Sequence, residues 1–395
     1  MKKGWKYKKI KDVGEVIGGT TPSTTNPEFW GGDICWISPA ELHGEHYLYD
    51  SIKKITAKAV SAKSLKELPV GTVILSSRAP IGKIAINKVP MYCNQGFKCV
   101  VCGPELYNEF LYWWLYGKVD YLNSLGTGAT FKEISKTVVE NIVVPIPPLD
   151  EQQLIVSRLD VAFAHIDELK ANAEKQSSEA RALFQKALTK AMDPKEGWEE
   201  KELGNIVCFF SGYAFESKGY TNNNDDVLLI CGDNIVHCDF RWDTIKHWPK
   251  EEYEDLKRFS LEENDIVLAM DRPWVKSGLK IAKVSLKELP SLLIQRTACI
   301  RASKDVSPDF IFYSLQTEKY IKHLVSQQTG VGVPHISGKQ ILSYKFSIPN
   351  YNVQQRIVSR LDSLSAHVRE LEEVLQKTIA ECDALKQALL RQVFE

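Results

Sequence analysis

Two segments of the chain place apolar or small residues at alternating steps of four and three. The first series runs from Ile155 to residue 187, and the second runs from Ile357 to residue 389. This spacing is typical of the packed seam of a coiled coil. It predicts two long helices whose seams include Ile155, Leu159, Ile166, Leu169 and Leu183 in the first, and Ile357, Leu361, Leu364, Val368, Leu371, Leu375, Leu385 and Leu389 in the second.

The two predicted helices open with nearly the same ten residues. EQQLIVSRLD begins at Glu151 and VQQRIVSRLD begins at Val353, with eight of the ten positions identical. Asp150 and Asn352 precede these segments as capping residues, and Pro194 ends the first helix. Where one seam holds small residues the other holds large ones, which favours packing of the helices against each other. Each helix would be a rod of about 60 Å.

The segments before the two helices also resemble each other. Gly4-Trp5 opens the first and Gly197-Trp198 opens the second, and each continues with a strand, a basic loop containing proline and glycine, and another strand. This order predicts an α+β fold, with two globular α/β domains separated by two long antiparallel coiled-coil helices and an internal pseudo-twofold repeat. The predicted boundaries are 1–150 for the first globular domain, 151–192 for the first helix, 193–350 for the second globular domain and 351–395 for the second helix.

Composition restricts the classes of function. The chain has 50 Lys plus Arg and 50 Asp plus Glu, so a site for a polyanion would have to be local. The nine cysteines form no disulfide framework, which favours a reducing cytoplasm. No run of eighteen apolar residues is present, so we expect no membrane span.

The architecture suggests two binding domains held by a rigid spacer. The globular segments differ in most loops, whereas the helices agree closely. Duplex DNA suits such a protein, because two major-groove sites can be contacted together only when the protein matches their spacing. Linking two weak sites also raises their combined affinity through effective concentration.

The motifs at the start of the helices resemble those of a known family. The run IPPLDEQQLIVSRLD follows a glycine-rich loop and is repeated as IPNYNVQQRIVSRLD, on two divergent globular segments that open with Gly-Trp. Over essentially the whole chain, this pattern resembles the specificity (S) subunit of type I restriction-modification systems. PLDE of the first copy is replaced by NYNV at 350–353. The assignment of the second junction therefore depends on the heptad pattern rather than on this motif.

The resemblance implies a function. Each globular segment would be a target recognition domain that reads one half of a bipartite, asymmetric DNA site. The paired helices would set the spacer and dock two adenine-N6 methyltransferase (M) subunits, which restriction (R) subunits join. The subunit itself would be non-catalytic. S-adenosylmethionine, ATP and Mg²⁺ would be used by the partners, whose complex methylates DNA and cleaves it with ATP, so we expect no cofactor on this chain.

Residue types suited to DNA occur in the loops. Arg and Lys pair well with guanine, Asn and Gln pair with adenine, and glycine beside hydroxyls suits phosphate. The alternative is that these side chains are solvated loop charges, caps or flexible connections. His335 takes the place of Glu133 in the repeat, and a surface role is its alternative. The predicted DNA contacts are Thr21, Ser23, Arg78, Lys83, Asn94, Gln95, Thr130 and Lys132 in the first globular segment, and Arg272, Lys276, Lys280, Gln295, Arg296 and His335 in the second.

Repeated polar residues on the helices are candidates for partner binding. Gln152 and Arg158 recur as Gln354 and Arg360. Two equivalent surfaces would dock two copies of one subunit. The alternative is helix capping together with solvated charge.

Other motifs do not support catalysis or a metal site. NPEFW lacks the second proline of an amino-methyltransferase motif, and Cys99-x-x-Cys102 has no partner pair for zinc. The aromatic run from Phe110 has helical spacing and is better explained as core than as a stacking surface. Two rival hypotheses remain: a nuclease or methyltransferase with its chemistry inside a globular domain, and a coiled-coil scaffold that binds proteins.

Overall fold

The chain forms two compact units, and each contains parts of both long helices. The first unit comprises residues 1–174 and 376–395, and the second comprises residues 175–375. The long helices are therefore shared between the units. The computed structural model describes residues 4–78, 80–128, 132–275, 278–327 and 334–395.

Short strands and helices make up the first unit before the long helix begins. The strands are β1 (Lys6–Lys9), β2 (Gly14–Gly18), β3 (Trp30–Ile37), β4 (Tyr47–Leu48), β5 (Lys53–Ile55), β6 (Val73–Leu75), β7 (Ile84–Asn87), β8 (Tyr92–Cys93), β9 (Lys98–Cys102) and β10 (Val143–Ile146). The helices are α1 (Ile10–Val13), α2 (Ala57–Lys63), α3 (Asn108–Tyr116), α4 (Val119–Leu125), α5 (Lys136–Glu140) and the long α6 (Leu149–Ala191).

The second unit repeats this organisation. Its strands are β11 (Glu199–Glu202), β12 (Val207–Ser211), β13 (Val227–Ile230), β14 (His247–Trp248), β15 (Ile266–Ala269), β16 (Trp274–Val275), β17 (Gly278–Leu279), β18 (Ile281–Lys283), β19 (Ser291–Leu293), β20 (Thr297–Ala302) and β21 (Lys345–Ile348). Its helices are α7 (Pro308–Ser314), α8 (Glu318–Gln327), α9 (Gly338–Leu342) and the long α10 (Tyr351–Phe394).

The main sheets of the two units share a four-strand order, to which the first unit adds β4. In the first unit the order is β2-β9-β6-β7-β4, and in the second it is β12-β20-β15-β18. Strands β6 and β15 pair antiparallel with both neighbours and bury every residue. Continuous apolar runs such as Val-Ile-Leu suit strands covered on both faces. The shared order confirms the internal repeat.

Each core is closed by an aromatic helix and by the Gly-Trp opening of its segment. Helix α3 buries the aromatic run, which confirms the prediction that this run is core. Trp5 packs edge-on against Phe110, with ring centroids 6.3 Å apart, and Trp198 packs against Phe310 at 6.1 Å. The tryptophans therefore anchor equivalent strands, β1 and β11, beside equivalent helices.

The long helices run antiparallel in both units. In the first unit, Nζ of Lys170 lies 2.8 Å from Oδ1 of Asp383, and Lys386 pairs with Asp167. In the second unit, Arg181 pairs with Glu372. Residue numbers rise along one helix as they fall along the other, as antiparallel packing requires.

Four of the thirteen named seam residues are exposed, and in each case the next residue along the helix is more buried. Leu159, Ile166, Leu361 and Leu375 are buried as predicted, and Ile155, Ile357, Leu364, Val368 and Leu389 are partly buried. The prediction is wrong for Leu169, Leu183, Leu371 and Leu385, which are 42–65% exposed. In α6, Val156, Phe163 and Ser177 are buried and Lys170 is partly buried. In α10, Val358 is buried and Glu372 and Lys386 are partly buried.

Candidate nucleic-acid interface

Three segments that carry or adjoin predicted DNA contacts meet at one end of the interior strands β6 and β9 of the first unit's main sheet. The Ser77 N–H donates to the Gly96 carbonyl at 2.7 Å, and the Ile134 N–H donates to the Ser77 carbonyl at 2.9 Å. Arg78 and Glu133 form a backbone bridge beside these bonds. The loop after β6, the loop before β9 and the segment before α5 are therefore held in one frame.

The second unit has the same backbone frame. The Met270 N–H donates to the Arg296 carbonyl at 2.9 Å, and the Ile336 N–H donates to the Met270 carbonyl at 2.9 Å. Asp271 and His335 form the backbone bridge that corresponds to Arg78 and Glu133. The two units thus present different side chains from equivalent positions.

A fourth loop joins the frame through glycines that permit close backbone approach. A Cβ at Gly19 would lie 1.9 Å from the Asn94 carbonyl oxygen, and one at Gly212 would lie 2.1 Å from the Ile294 carbonyl oxygen. No larger residue fits at either place without displacing the backbone. This approach lets the Thr21 hydroxyl donate to Oε1 of the exposed Gln95.

In the first unit, one carboxylate lies between two cations. Oε1 of Glu133 is 3.3 Å from Nζ of Lys98, and Oε2 is 3.9 Å from Nη1 of Arg78. The buried Lys98 also donates to Ser77 Oγ and to the Gln95 carbonyl, both at 3.2 Å. Sequence reasoning missed Lys98, although a lysine inside the apolar run FKCVV was a usable signal. It holds the loop that carries Gln95.

The second unit has a carboxylate, Asp271, at the position where the first unit has Arg78. Nη1 of Arg296 donates to Oδ2 of Asp271 at 2.5 Å, and Nδ1 of His335 lies 2.5 Å from the other oxygen, Oδ1. Burial alone would raise the pKa of Asp271, but hydrogen bonds from His335 and Arg296 outweigh it and hold that pKa below its ordinary value. Asp271 is therefore ionised at neutral pH.

Two predicted lysines are turned toward the protein, which corrects their assignment as base contacts. Lys83 directs Nζ to the carbonyls of Pro39 and Leu42 at 3.0 and 2.6 Å. Lys280 stands at the equivalent strand start and is only 8% exposed, and burial lowers its pKa. Both ammonium groups face the protein.

The remaining predicted loop residues divide between the frame and its surroundings. Asn94 shapes the turn, because its Oδ1 accepts from the Gly96 N–H at 2.8 Å. Ser23 shares a hydrogen bond with Thr25 rather than with the frame. Arg272, Gln295 and Lys132 are exposed. Thr130 and Lys276 lie outside the described residues.

The repeated glutamines of the long helices are buried, so their assignment as partner contacts is wrong. Oε1 of Gln152 accepts from the Tyr107 N–H at 2.8 Å, and Nε2 donates to the carbonyls of Glu105 and Pro147 at 2.8 and 2.9 Å. Gln354 bonds Ser307 and Pro349 in the same way. These amides tie the first turn of each long helix to its unit. Arg158 and Arg360 are exposed and stay as predictions.

The described residues provide little for other chemistry. Within them, no group of three or more His, Cys, Asp or Glu side chains is arranged to hold a metal ion. None of their helices has the length and apolar character needed to traverse a bilayer.

The repeated architecture agrees with comparisons to known proteins. A family profile described as the type I restriction modification DNA specificity domain matches residues 2–177 and again residues 195–381. The chain belongs to this family. Specificity subunits are its non-catalytic components, and the enzyme activity belongs to partner subunits.

Two curated relatives support the assignment. The specificity subunit of the type I restriction enzyme MjaIX from Methanocaldococcus jannaschii is 31% identical over 98% of this chain and 92% of that protein. The EcoAI specificity subunit from Escherichia coli is 35% identical over 47% of this chain and 31% of that protein.

Two solved structures share the fold. A chain from a study of the assembly and conformational transition of a type I R-M system has a TM-score of 0.80 and 19% identity, covering 100% of this chain and 98% of that one. The HsdS subunit from Thermoanaerobacter tengcongensis has a TM-score of 0.56 and 18% identity, covering 100% and 97%.

Proposed function

We propose that this specificity subunit reads a bipartite DNA sequence, with one half-site contacted by each loop frame. The observation that carries the proposal is that equivalent backbone frames present unlike residues: Arg78, Gly96 and Glu133 in one unit, and Asp271, Arg296 and His335 in the other. Identical frames would place the loops similarly on duplex DNA. Unlike side chains would select different bases.

We further propose that the long helices set the spacer and dock two methyltransferase subunits. Leu169 and Leu371 occupy equivalent repeat positions and are 56% and 42% exposed, and Leu183 and Leu385 are 65% and 48% exposed. Exposed leucines at matched positions support two copies of one apolar patch. Arg158 and Arg360 would add a charged position to each copy.

The chemistry of the complex would belong to its partners. Methyltransferase subunits would use S-adenosylmethionine, and restriction subunits would use ATP and Mg²⁺. The chain would act in the cytoplasm, where its DNA and its partners are available.

Selection from randomised DNA duplexes tests the proposal. The full-length chain is expected to enrich two different half-sites at one fixed spacing, with affinity that falls as salt rises, because phosphate contacts release counterions. Enrichment of one uninterrupted site, or of none, would contradict it. Binding that ignores both salt and sequence would instead favour the scaffold alternative.

A second assay addresses the enzyme alternative. The purified chain is incubated with DNA and either S-adenosylmethionine or Mg²⁺. We expect neither methylated nor cleaved DNA. Modification by the chain alone, at a rate proportional to its concentration, would overturn the proposal that partners supply the chemistry.

A further inference from the structure

Arg296 has an unusual backbone conformation at the exposed edge of the second loop frame. Its φ is +63°, in the left-handed region that residues other than glycine rarely adopt. Arg272, at φ +45°, lies in the adjoining loop of the same frame. Strained backbone of this kind is concentrated at functional sites. The strain indicates that the placement of the Arg296 side chain outweighs the energetic cost of this backbone conformation.

One nitrogen of the Arg296 guanidinium is hydrogen-bonded to the protein, and the side chain is otherwise exposed. Its side chain is 70% exposed, yet Nη1 is held 2.5 Å from Oδ2 of Asp271. His335 holds the second oxygen of the same carboxylate at 2.5 Å. An exposed arginine usually samples many rotamers, whereas this one is tethered through a carboxylate that is itself tethered. The N–H groups on Nη2 and Nε have no protein partner among the described residues.

We propose that Arg296 reads a guanine in the half-site of the second unit, and that Asp271 is the positioning residue that aims it. This inference rests on the proposed function of the frames as DNA readers. Two N–H donors from one guanidinium match O6 and N7 of guanine in the major groove. Pre-fixing them reduces the conformational entropy that the side chain loses on binding.

A base contact fits the geometry better than a phosphate contact. Attraction to phosphate depends mainly on net charge, and the carboxylate of Asp271 offsets the charge of Arg296. Hydrogen-bond direction is retained, and direction is what distinguishes one base from another. The first unit has Gly96 at the equivalent position, so its half-site would not be read by an arginine from this place.

The experiment is selection from randomised duplexes with the full-length chain and with R296Q, R296K and D271N. The wild-type chain should enrich an invariant guanine in one half-site. R296Q should reduce preference for that guanine roughly tenfold or more and shift it toward adenine, and R296K should also weaken it. The other half-site should not change. R241Q is the control. Arg241 is also an exposed arginine (58%) paired with an aspartate, Asp243, but this pair lies on a different loop from Arg296 and Asp271.

D271N separates a positioning role from general loss of structure. It leaves Arg296 in place and increases the positive charge, so we expect selectivity for the guanine to fall while total DNA affinity holds or rises. If R296Q lowers affinity for every sequence equally and R296K restores it, Arg296 is a phosphate contact and the inference is wrong. If the wild-type chain selects no bipartite site, the proposed function itself fails.

Discussion

Lys170 of α6 and Asp383 of α10 form an ion pair, with Nζ 2.8 Å from Oδ1. The pair joins the first long helix to the last part of the second within one unit. Arg181 and Glu372 make the corresponding contact in the other unit. Exposed ion pairs of this kind contribute at most about 1 kcal/mol each. These pairs show the antiparallel register of the two helices. The apolar side chains buried along the helices contribute more to stability.

Replacing Gln152 by leucine should destabilise the first unit. The substitution leaves the Tyr107 N–H and the carbonyls of Glu105 and Pro147 without partners in a buried place. Buried unsatisfied groups cost about 1–3 kcal/mol each, so we expect a loss of at least about 2 kcal/mol. Urea denaturation followed by tryptophan fluorescence would measure it. The neighbouring exposed Gln153 gives the matched control Q153L, which should change stability little; equal effects would contradict the structural role of Gln152.

Exposed leucines on the long helices should control how many methyltransferase subunits bind. L169E alone should give complexes with one methyltransferase subunit, and L169E with L371E should give none, because each patch would lose an apolar contact and gain a desolvation cost. Native mass spectrometry of the co-purified complex would count the subunits. Because both residues are exposed, thermal stability should hold. Unchanged stoichiometry in the double variant would show that the partner docks elsewhere.

Glu109 should make stability depend on pH in the acid range. Burial favours its neutral form, but the hydrogen bond from His46 at 2.8 Å and the charge of Lys88 at 3.4 Å prevail, so its pKa lies below the ordinary 4.5. A carboxyl whose pKa is lower in the folded protein than in the unfolded protein stabilises the fold fully at pH values above its unfolded pKa. This contribution is lost as the pH falls through its folded pKa. E109Q should therefore be less stable than wild type at pH 7, with the gap closing below about pH 4.5. A gap that is constant from pH 7 to pH 3 would contradict this assignment.

The sequence was sufficient to predict the repeat and the two long helices. These features depend on local signals such as heptads and turn residues. The convergence of the loops was not predicted, because it depends on contacts between distant segments. The heptad pattern misplaced four of the thirteen named seam residues. Leu169 is more apolar than Lys170, for example, yet Lys170 is the residue that pairs with Asp383 of the other helix. Packing geometry decides such cases, and residue type alone does not.

Polar residues inside the fold were the second source of error. Gln152 and Gln354 repeat exactly, but a repeated polar residue looks the same whether it serves a partner or a buried backbone group. Lys98 was missed for a related reason: two of its three partners, Ser77 and Glu133, lie 21 and 35 residues away in the sequence. Only tertiary contacts show where the hydrogen bonds of such residues go.

The central proposal is that the long helices hold the two loop frames at a fixed separation. Shortening both helices together tests this proposal most directly. Removing residues 171–177 and 376–382 deletes one heptad from each helix while keeping the flanking pairs Lys170–Asp383 and Arg181–Glu372 in register. Seven residues span about 10 Å, or at most about three base pairs of DNA. Selection from randomised duplexes with this variant should return both half-sites unchanged and a spacer shortened by about two to three base pairs. Altered half-sites with an unchanged spacer would contradict the account.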